Sequence, residues 1–129
     1  MARVKIDLHT HSIASDGTQT PADVARSARE AGLNVFALTD HDTTAGWQEA
    51  GDAAVRLGVA FVPGMEVTCT TQDGISVHML SYLHDPGYQP LVERIEECRS
   101  NRLTRARSMV ELLAEDYPIS WQDVQHQVG

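Results

Sequence analysis

The chain has 129 residues, of which 42% are hydrophobic and 22% are charged. This balance is that of an ordinary globular domain, and no apolar run approaches the roughly 20 residues of a membrane-spanning helix. The formal net charge of −8 disfavours binding to duplex DNA or to anionic membranes unless bound cations invert the local field. We expect a cytoplasmic location, because the first residues carry no export signal.

The first half of the chain alternates between strand and helix patterns. Thr20 is a predicted N-cap, Pro21 suits a first helical position, and Gly32 is a predicted helix stop. This alternation is typical of βαβ units and a parallel sheet. The predicted elements are a strand over 4–8, a helix from Thr20 to Gly32, a strand over 34–39, a helix over 45–57 and a strand over 59–64.

The pattern changes in the second half. Two extended segments, 67–71 and 75–83, are joined by Asp73-Gly74, and Asp-Gly is a strong hairpin signal. A long helix is predicted over 91–114, with an apolar stripe formed by Leu91, Ile95, Cys98, Ala106, Met109 and Leu113. Tyr117-Pro118 ends this region, and Ser120 is a predicted N-cap of a last helix. We expect the first part of a larger architecture, because a (β/α) barrel typically needs roughly 250 residues.

Residues able to bind metals follow the predicted strands. His9 and His11 flank Thr10 at the end of the first strand, where strand geometry would direct both imidazoles to the same face. Two neutral imidazoles side by side suit a divalent transition metal. Asp16 follows in a Ser-Asp-Gly turn, from which a short carboxylate could reach the same pocket.

Three further candidates come from the next strands. His41 and Glu66 lie at the carboxyl ends of the second and third strands, where parallel α/β folds bind ligands. His78 lies within an apolar strand, where an unpaired imidazole would be costly. Each residue alone has an ordinary structural interpretation, such as a turn for Asp16 or an ion pair for Glu66. One metal site explains them together, and Asp40 is then expected to orient a ligand histidine.

Arg102 falls on the apolar stripe of the long helix. Two interpretations stay open. Its aliphatic stem could pack while the guanidinium extends into solvent, or the guanidinium could bind a substrate phosphate.

These motifs resemble the PHP (polymerase and histidinol phosphatase) superfamily, and most of all its stand-alone phosphoesterases, which include nucleotide phosphatases and an exonuclease of small RNAs. The resemblance covers nearly the whole chain. It is carried by Asp7-Leu8-His9-Thr10-His11-Ser12, Ser15-Asp16-Gly17, Thr39-Asp40-His41-Asp42, Pro63-Gly64-Met65-Glu66 and Val77-His78-Met79-Leu80.

The resemblance implies an α/β fold, namely the N-terminal portion of a distorted (β/α)7 barrel with parallel strands, a β-hairpin and a long helix. It implies two or three divalent metal ions, Mn²⁺, Fe²⁺ or Zn²⁺. By motif, His9, His11 and Glu66 would hold one metal, Asp16 and His41 a second, and Glu66 with His78 a third. The family pattern adds a histidine and an Asp-x-His from later strands; this sequence has no Asp-x-His after His78, and the context of His126 does not match.

We therefore expect a single PHP-type domain over 1–129 that is incomplete, completed by a longer chain or by a homodimer. The implied function is hydrolysis of phosphate esters of nucleotides or short RNA or DNA through a metal-bridging hydroxide, with Asp40, His41 and Glu66 as catalytic residues and Arg102 contacting substrate. Two alternatives stay open. One is an amidohydrolase-like deacylase, and the other is a non-catalytic metal-binding or scaffold module.

Overall fold

The structure is a computed structural model that describes residues 3–128. The chain divides into two compact units, with the boundary between Val92 and Glu93. The first unit contains β1 (Ile6–Thr10), α1 (Pro21–Glu30), β2 (Val35–Leu38), α2 (Trp47–Leu57), β3 (Ala60–Thr70) and β4 (Ser76–Tyr82). The second unit contains most of α3 (Gln89–Leu113) and all of α4 (Trp121–Val128). Among the described helices, none is long and apolar enough to cross a membrane.

The first unit is a four-stranded sheet in the order β1-β2-β3-β4. β1 pairs with β2 and β2 with β3 in parallel, whereas β3 and β4 form an antiparallel hairpin. The predicted α/β class, parallel strands and hairpin are confirmed. The hairpin turn contains Gly74 at a φ of 81°, a left-handed conformation that glycine adopts without strain.

The predicted strand over 59–64 and the extended segment over 67–71 are one continuous strand, so the predicted break between them is wrong. The reason is a change of partner. Residues 60–63 pair with β2, and residues 64–70 pair with β4. At the changeover, a Cβ on Gly64 would lie 2.8 Å from Thr39 Cγ2 and 2.9 Å from Tyr82 Cδ1. A glycine therefore lets the strand pass between its two neighbours.

The core of the first unit lies between the two helices and the sheet. Phe36 and Leu38 of β2 are fully buried, and small residues let the helices approach. The core residues are Val24, Ala25, Ala28, Phe36, Leu38, Ala50, Ala53, Ala54 and Val59. Thr20 caps α1 as predicted, because its side chain accepts a hydrogen bond from the Asp23 backbone N–H. This packing holds the carboxyl ends of β1 and β2 in place.

Part of the predicted apolar stripe of the long helix is more exposed than expected. Met109 and Leu113 of the predicted stripe are 52% and 49% exposed, and Val110 is the buried residue of α3 in the described part of the chain.

Replacing Phe36 with alanine tests the core. The fully buried ring leaves a cavity, so we expect the free energy of unfolding to fall by about 3–5 kcal/mol, measured by urea denaturation. Val55→Ala is the control, because Val55 lies on α2 and is 83% exposed. An equal effect of both substitutions would contradict this description of the core.

Candidate metal centre

The metal-ligand candidates meet where the strands end. The Thr39 backbone N–H donates to the Thr10 carbonyl at 2.8 Å, which joins the ends of β1 and β2. Two residues further along the chain, His41 forms an isolated parallel bridge with Glu66 of β3. These backbone contacts bring side chains from distant parts of the sequence to one edge of the sheet. The ends of β1, β2 and the middle of β3 therefore lie side by side.

Glu66 lies at the centre of the group. One of its carboxylate oxygens, Oε2, faces Nε2 of His9 at 2.8 Å, of His11 at 3.0 Å and of His41 at 3.8 Å. The other, Oε1, lies 2.8 Å from Nδ1 of His78. The Glu66 side chain is only 8% exposed. A single buried carboxylate thus has four imidazoles around it.

Burial of Glu66 raises its pKa, but hydrogen bonds with His9 and His78 and favourable electrostatic interactions with His41 and His9 outweigh that effect. The pKa of Glu66 therefore lies below its ordinary value. The ionised form is the one that can bind a cation.

Asp16 lies beside two of the same four imidazoles. Its carboxylate oxygens lie 3.2 Å from His11 Nδ1 and 3.3 Å from His41 Nε2. The imidazole rings themselves are close, with centroids 4.8 Å apart for His11 and His41 and 5.0 Å apart for His41 and His78. His41 is shared between the two carboxylates, Asp16 and Glu66.

These residues fit divalent metal ions. Acceptor oxygens and neutral imidazole nitrogens repel one another at such distances unless a proton or a cation lies between them. The structure brings together all six predicted ligands, in groups whose ligand atoms lie within 4.8 Å of one another. The groups are His9, His11 and Glu66; His11, Asp16 and His41; and His41, Glu66 and His78. Imidazole and carboxylate donors suit first-row divalent metals.

Asp40 holds the loop between β1 and α1. Its carboxylate accepts from the Ser12 backbone N–H at 2.7 Å, from the Ser12 hydroxyl at 2.7 Å and from the Ser15 hydroxyl at 2.6 Å. Ser15 is in turn 3.5 Å from His11 Nδ1 and precedes Asp16. Asp40 thus contacts two serines of the loop that carries Asp16, rather than the imidazole of a ligand histidine as expected. Its predicted catalytic role stays a prediction.

Asp42 makes a matching contact on the other side of His41. Its carboxylate accepts from the Thr68 backbone N–H at 2.8 Å and from the Thr68 hydroxyl at 2.9 Å. Its own backbone N–H donates to the Glu66 carbonyl at 3.0 Å, with the residue in the left-handed region at a φ of 49°. The two aspartates that flank His41 therefore tie it to the loop before α1 and to β3.

The loop also depends on a close backbone approach. A Cβ on Gly17 would lie 2.5 Å from the His11 carbonyl oxygen and 2.8 Å from Ser12 Cα. Any side chain at this position would displace the segment that carries His11 and Asp16. Sequence reasoning missed Ser12, Ser15 and Thr68 as supporting residues, because serine and threonine in loops have many ordinary roles.

Two further histidines and the predicted residue Arg102 lie outside this group. His84 stacks on Trp47 with ring centroids 4.9 Å apart, and its Nδ1 lies 2.9 Å from the Ser81 hydroxyl. Burial lowers the pKa of His84 more than Asp85 raises it. His126 lies on α4 in the second unit, as does Arg102 on α3. The predicted substrate contact of Arg102 stays a prediction.

The family model described as PHP domain matches residues 7–120. The chain belongs to the PHP domain family. This confirms the resemblance drawn from the His9, His41, Glu66 and His78 motifs.

Relatives of this PHP domain include enzymes of nucleotide chemistry. A 3′,5′-nucleoside bisphosphate phosphatase of Chromobacterium violaceum is 41% identical over 104 residues, covering 81% of this chain and 36% of the relative. A 5′-3′ exoribonuclease of Haemophilus influenzae is 36% identical over 102 residues, covering 79% of this chain and 37% of the relative. The chain thus spans little more than a third of the length of these curated relatives.

A solved structure of similar fold comes from Bifidobacterium adolescentis and is provisionally assigned as a metal-dependent phosphoesterase. It matches with a TM-score of 0.87 at 41% identity, over 98% of this chain and 44% of that chain. The predicted fold, part of a PHP barrel, is therefore confirmed.

The Asp40 contacts can be tested with Asp40→Asn. An amide cannot accept all three hydrogen bonds, so we expect the free energy of unfolding to fall by about 1–3 kcal/mol. Zn²⁺ affinity, measured by isothermal titration calorimetry, should fall as well, since His11 and Asp16 lose their support. Asp52→Asn, the same chemical change at an exposed position of α2, is the control. Unchanged affinity in the Asp40 variant would contradict the positioning role.

Proposed function

We propose that this PHP domain is part of a metal-dependent phosphoesterase that hydrolyses phosphate esters of nucleotides or short oligonucleotides. The observation that carries the proposal is the single buried Glu66 oxygen faced by the Nε2 atoms of His9, His11 and His41. Such an arrangement of acceptors suits bound cations and has no need of a serine or cysteine nucleophile. The names of the nucleotide phosphatase and the exoribonuclease support the substrate class.

The six ligands would hold two or three ions of Mn²⁺, Fe²⁺ or Zn²⁺. His9 and His11 with Glu66 form one group, His11 and His41 with Asp16 a second, and His41 with Glu66 and His78 a third. Glu66, His11 and His41 each belong to two groups, and Glu66 would be the bridging ligand, because a carboxylate offers two oxygens whereas a neutral imidazole offers one lone pair. Divalent metals bound there would activate water and neutralise charge on a phosphoryl group.

The residues of the chain prepare this chemistry. Glu66 stays ionised because its pKa is held low, so it is ready to bind cations at neutral pH. His41 lies between the Asp16 and Glu66 carboxylates, and it would fix the position of one carboxylate relative to the other. Asp40 fixes the loop that presents His11 and Asp16. We propose Glu66 and His41 as the residues that act nearest the reacting phosphate, with Asp40 in support.

The chain has a formal net charge of −8, so a phosphorylated substrate would be repelled without bound cations. Bound metals would thus attract the substrate as well as promote its hydrolysis.

We propose that the PHP domain is one incomplete domain, because this chain matches 44% of the Bifidobacterium structure and 36% of the Chromobacterium phosphatase. Further ligands would come from residues beyond this sequence or from a second copy. A cytoplasmic location is part of the same proposal. It is supported by Cys69 and Cys98, which are both free thiols, because reducing compartments keep thiols unpaired.

Metal content and phosphate release test the proposal. Loaded with Mn²⁺, the chain should bind metal and release phosphate slowly from adenosine 3′,5′-bisphosphate, because the family's later ligands are not in this sequence. His9→Ala with His41→Ala should abolish both, measured by elemental analysis and a phosphate assay. His126→Ala, a histidine on α4, is the matched control.

Several outcomes distinguish the alternatives. Full metal content and release in the double variant would falsify the proposed centre. Hydrolysis of acyl amides in place of phosphoesters would support the deacylase. Metal binding without turnover of either substrate class would support the non-catalytic module.

We further propose that two copies of the chain associate through the outer strands. β1 is an edge strand, and Ile6 on it is 57% exposed, while Met79 on β4 is 60% exposed. Exposed apolar side chains beside an unpaired strand edge favour pairing with another chain.

Sedimentation velocity tests this association. The chain should sediment as a concentration-dependent dimer, and Ile6→Lys with Met79→Lys should shift it to the monomer. Val55→Lys, which places the same charge on the exposed face of α2, should leave the dimer intact. A monomer at every concentration would rule the association out.

A further inference from the structure

The middle of α3 is a basic segment in an acidic protein. Residues 98–110 contain four arginines and no aspartate or glutamate, while the whole chain carries a net charge of −8. The arginines are Arg99, Arg102, Arg105 and Arg107. Acidic residues resume on both sides, at Glu97 and Glu111. Positive charge is thus concentrated over about three turns of one helix.

Within the second unit, α3 and α4 enclose a groove of about 520 Å³. Arg99 and Arg102 line it from α3, and Trp121 and Val124 line it from α4. Most of its wall is apolar, with Leu103 among the lining residues. The groove therefore combines an aromatic, apolar wall with two guanidinium groups.

Trp121 has unused hydrogen-bonding capacity. Its Nε1 is buried and has no hydrogen-bond partner among the described residues. The Arg107 guanidinium lies 5.2 Å from the centroid of the same indole ring. Asp123 is the acidic residue of α4 that is closest in sequence to Trp121. Its carboxylate accepts hydrogen bonds from the Ser120 backbone N–H and hydroxyl. An acceptor-bearing ligand in the groove could satisfy the buried indole N–H.

We propose that this groove binds one nucleotide of a single-stranded, phosphorylated oligonucleotide. The base stacks on a face of the Trp121 indole, and a sugar or phosphate oxygen of the same nucleotide accepts a hydrogen bond from Nε1, because stacking on aromatic rings is how proteins hold single strands without sequence preference. Arg99 and Arg102 bind the adjacent phosphates. An acidic peptide would supply the negative charge but not the flat ring. The site contains none of the metal ligands and needs no bound metal.

Fluorescence anisotropy in EDTA tests the proposal. The probe is a labelled oligodeoxynucleotide of about six nucleotides, within the usual site sizes for single strands, with a 5′-phosphate and phosphorothioate linkages. Arg99→Ala with Arg102→Ala should weaken binding tenfold or more and reduce the salt dependence of log K by about 0.7 for each arginine–phosphate pair that is removed. Trp121→Leu should weaken binding by about tenfold. Trp121→Phe keeps a ring of similar packing and should bind with intermediate affinity.

The controls separate this site from general charge and from the metal centre. Arg105→Ala removes one positive charge from the same helix but not from the groove, so it should weaken binding much less than the double variant. The His9→Ala, His41→Ala protein should bind the probe normally, even if it no longer binds metal. An equally large effect in the Arg105 variant, equal competition by polyglutamate, or no binding by the unaltered chain at low salt would each overturn the proposal.

Discussion

The site depends on one electrostatic constraint, which is a carboxylate buried among imidazoles. Glu66 is 8% exposed and touches nitrogen atoms from β1, from the segment after β2 and from β4. A buried charge is tolerated only when its neighbours supply hydrogen bonds or opposite charge. The sheet therefore has to deliver imidazoles to Glu66 from both sides. The strand order, with β3 between β2 and β4, meets that requirement.

The two aspartates on either side of His41 anchor the segment that contains it. Asp40 binds the loop before α1 through Ser12 and Ser15, while Asp42 binds β3 through Thr68. Both carboxylates are buried and accept hydrogen bonds from backbone and hydroxyl donors. Such networks are rigid when every partner is satisfied. His41 is thus held between two anchored neighbours, one bound to the loop before α1 and the other bound to β3.

Much of this arrangement could be predicted from the sequence, because the relevant signals are local. Strand periodicity, Asp73-Gly74 and the cap at Thr20 depend on neighbouring residues alone. The metal-ligand candidates stood out because histidines and carboxylates recur at strand ends. The continuity of β3 could not be predicted, since it depends on Gly64 passing between two other strands. The partners of Asp40 could not be predicted either, because the hydrogen bonds from Ser12 and Ser15 span 28 and 25 residues.

The strand order has a consequence for how the first unit assembles. Each strand lies beside the one before it in the chain, so the sheet can grow by addition at one edge while the polypeptide is still being synthesised. The β3–β4 hairpin closes a short loop, which favours its rapid formation, whereas the parallel pairs are joined through α1 and α2. The hairpin between β3 and β4 is the last of these additions in the described sheet, and it carries His78 to Glu66. The fourth imidazole beside Glu66 therefore joins the site only when β4 pairs with β3.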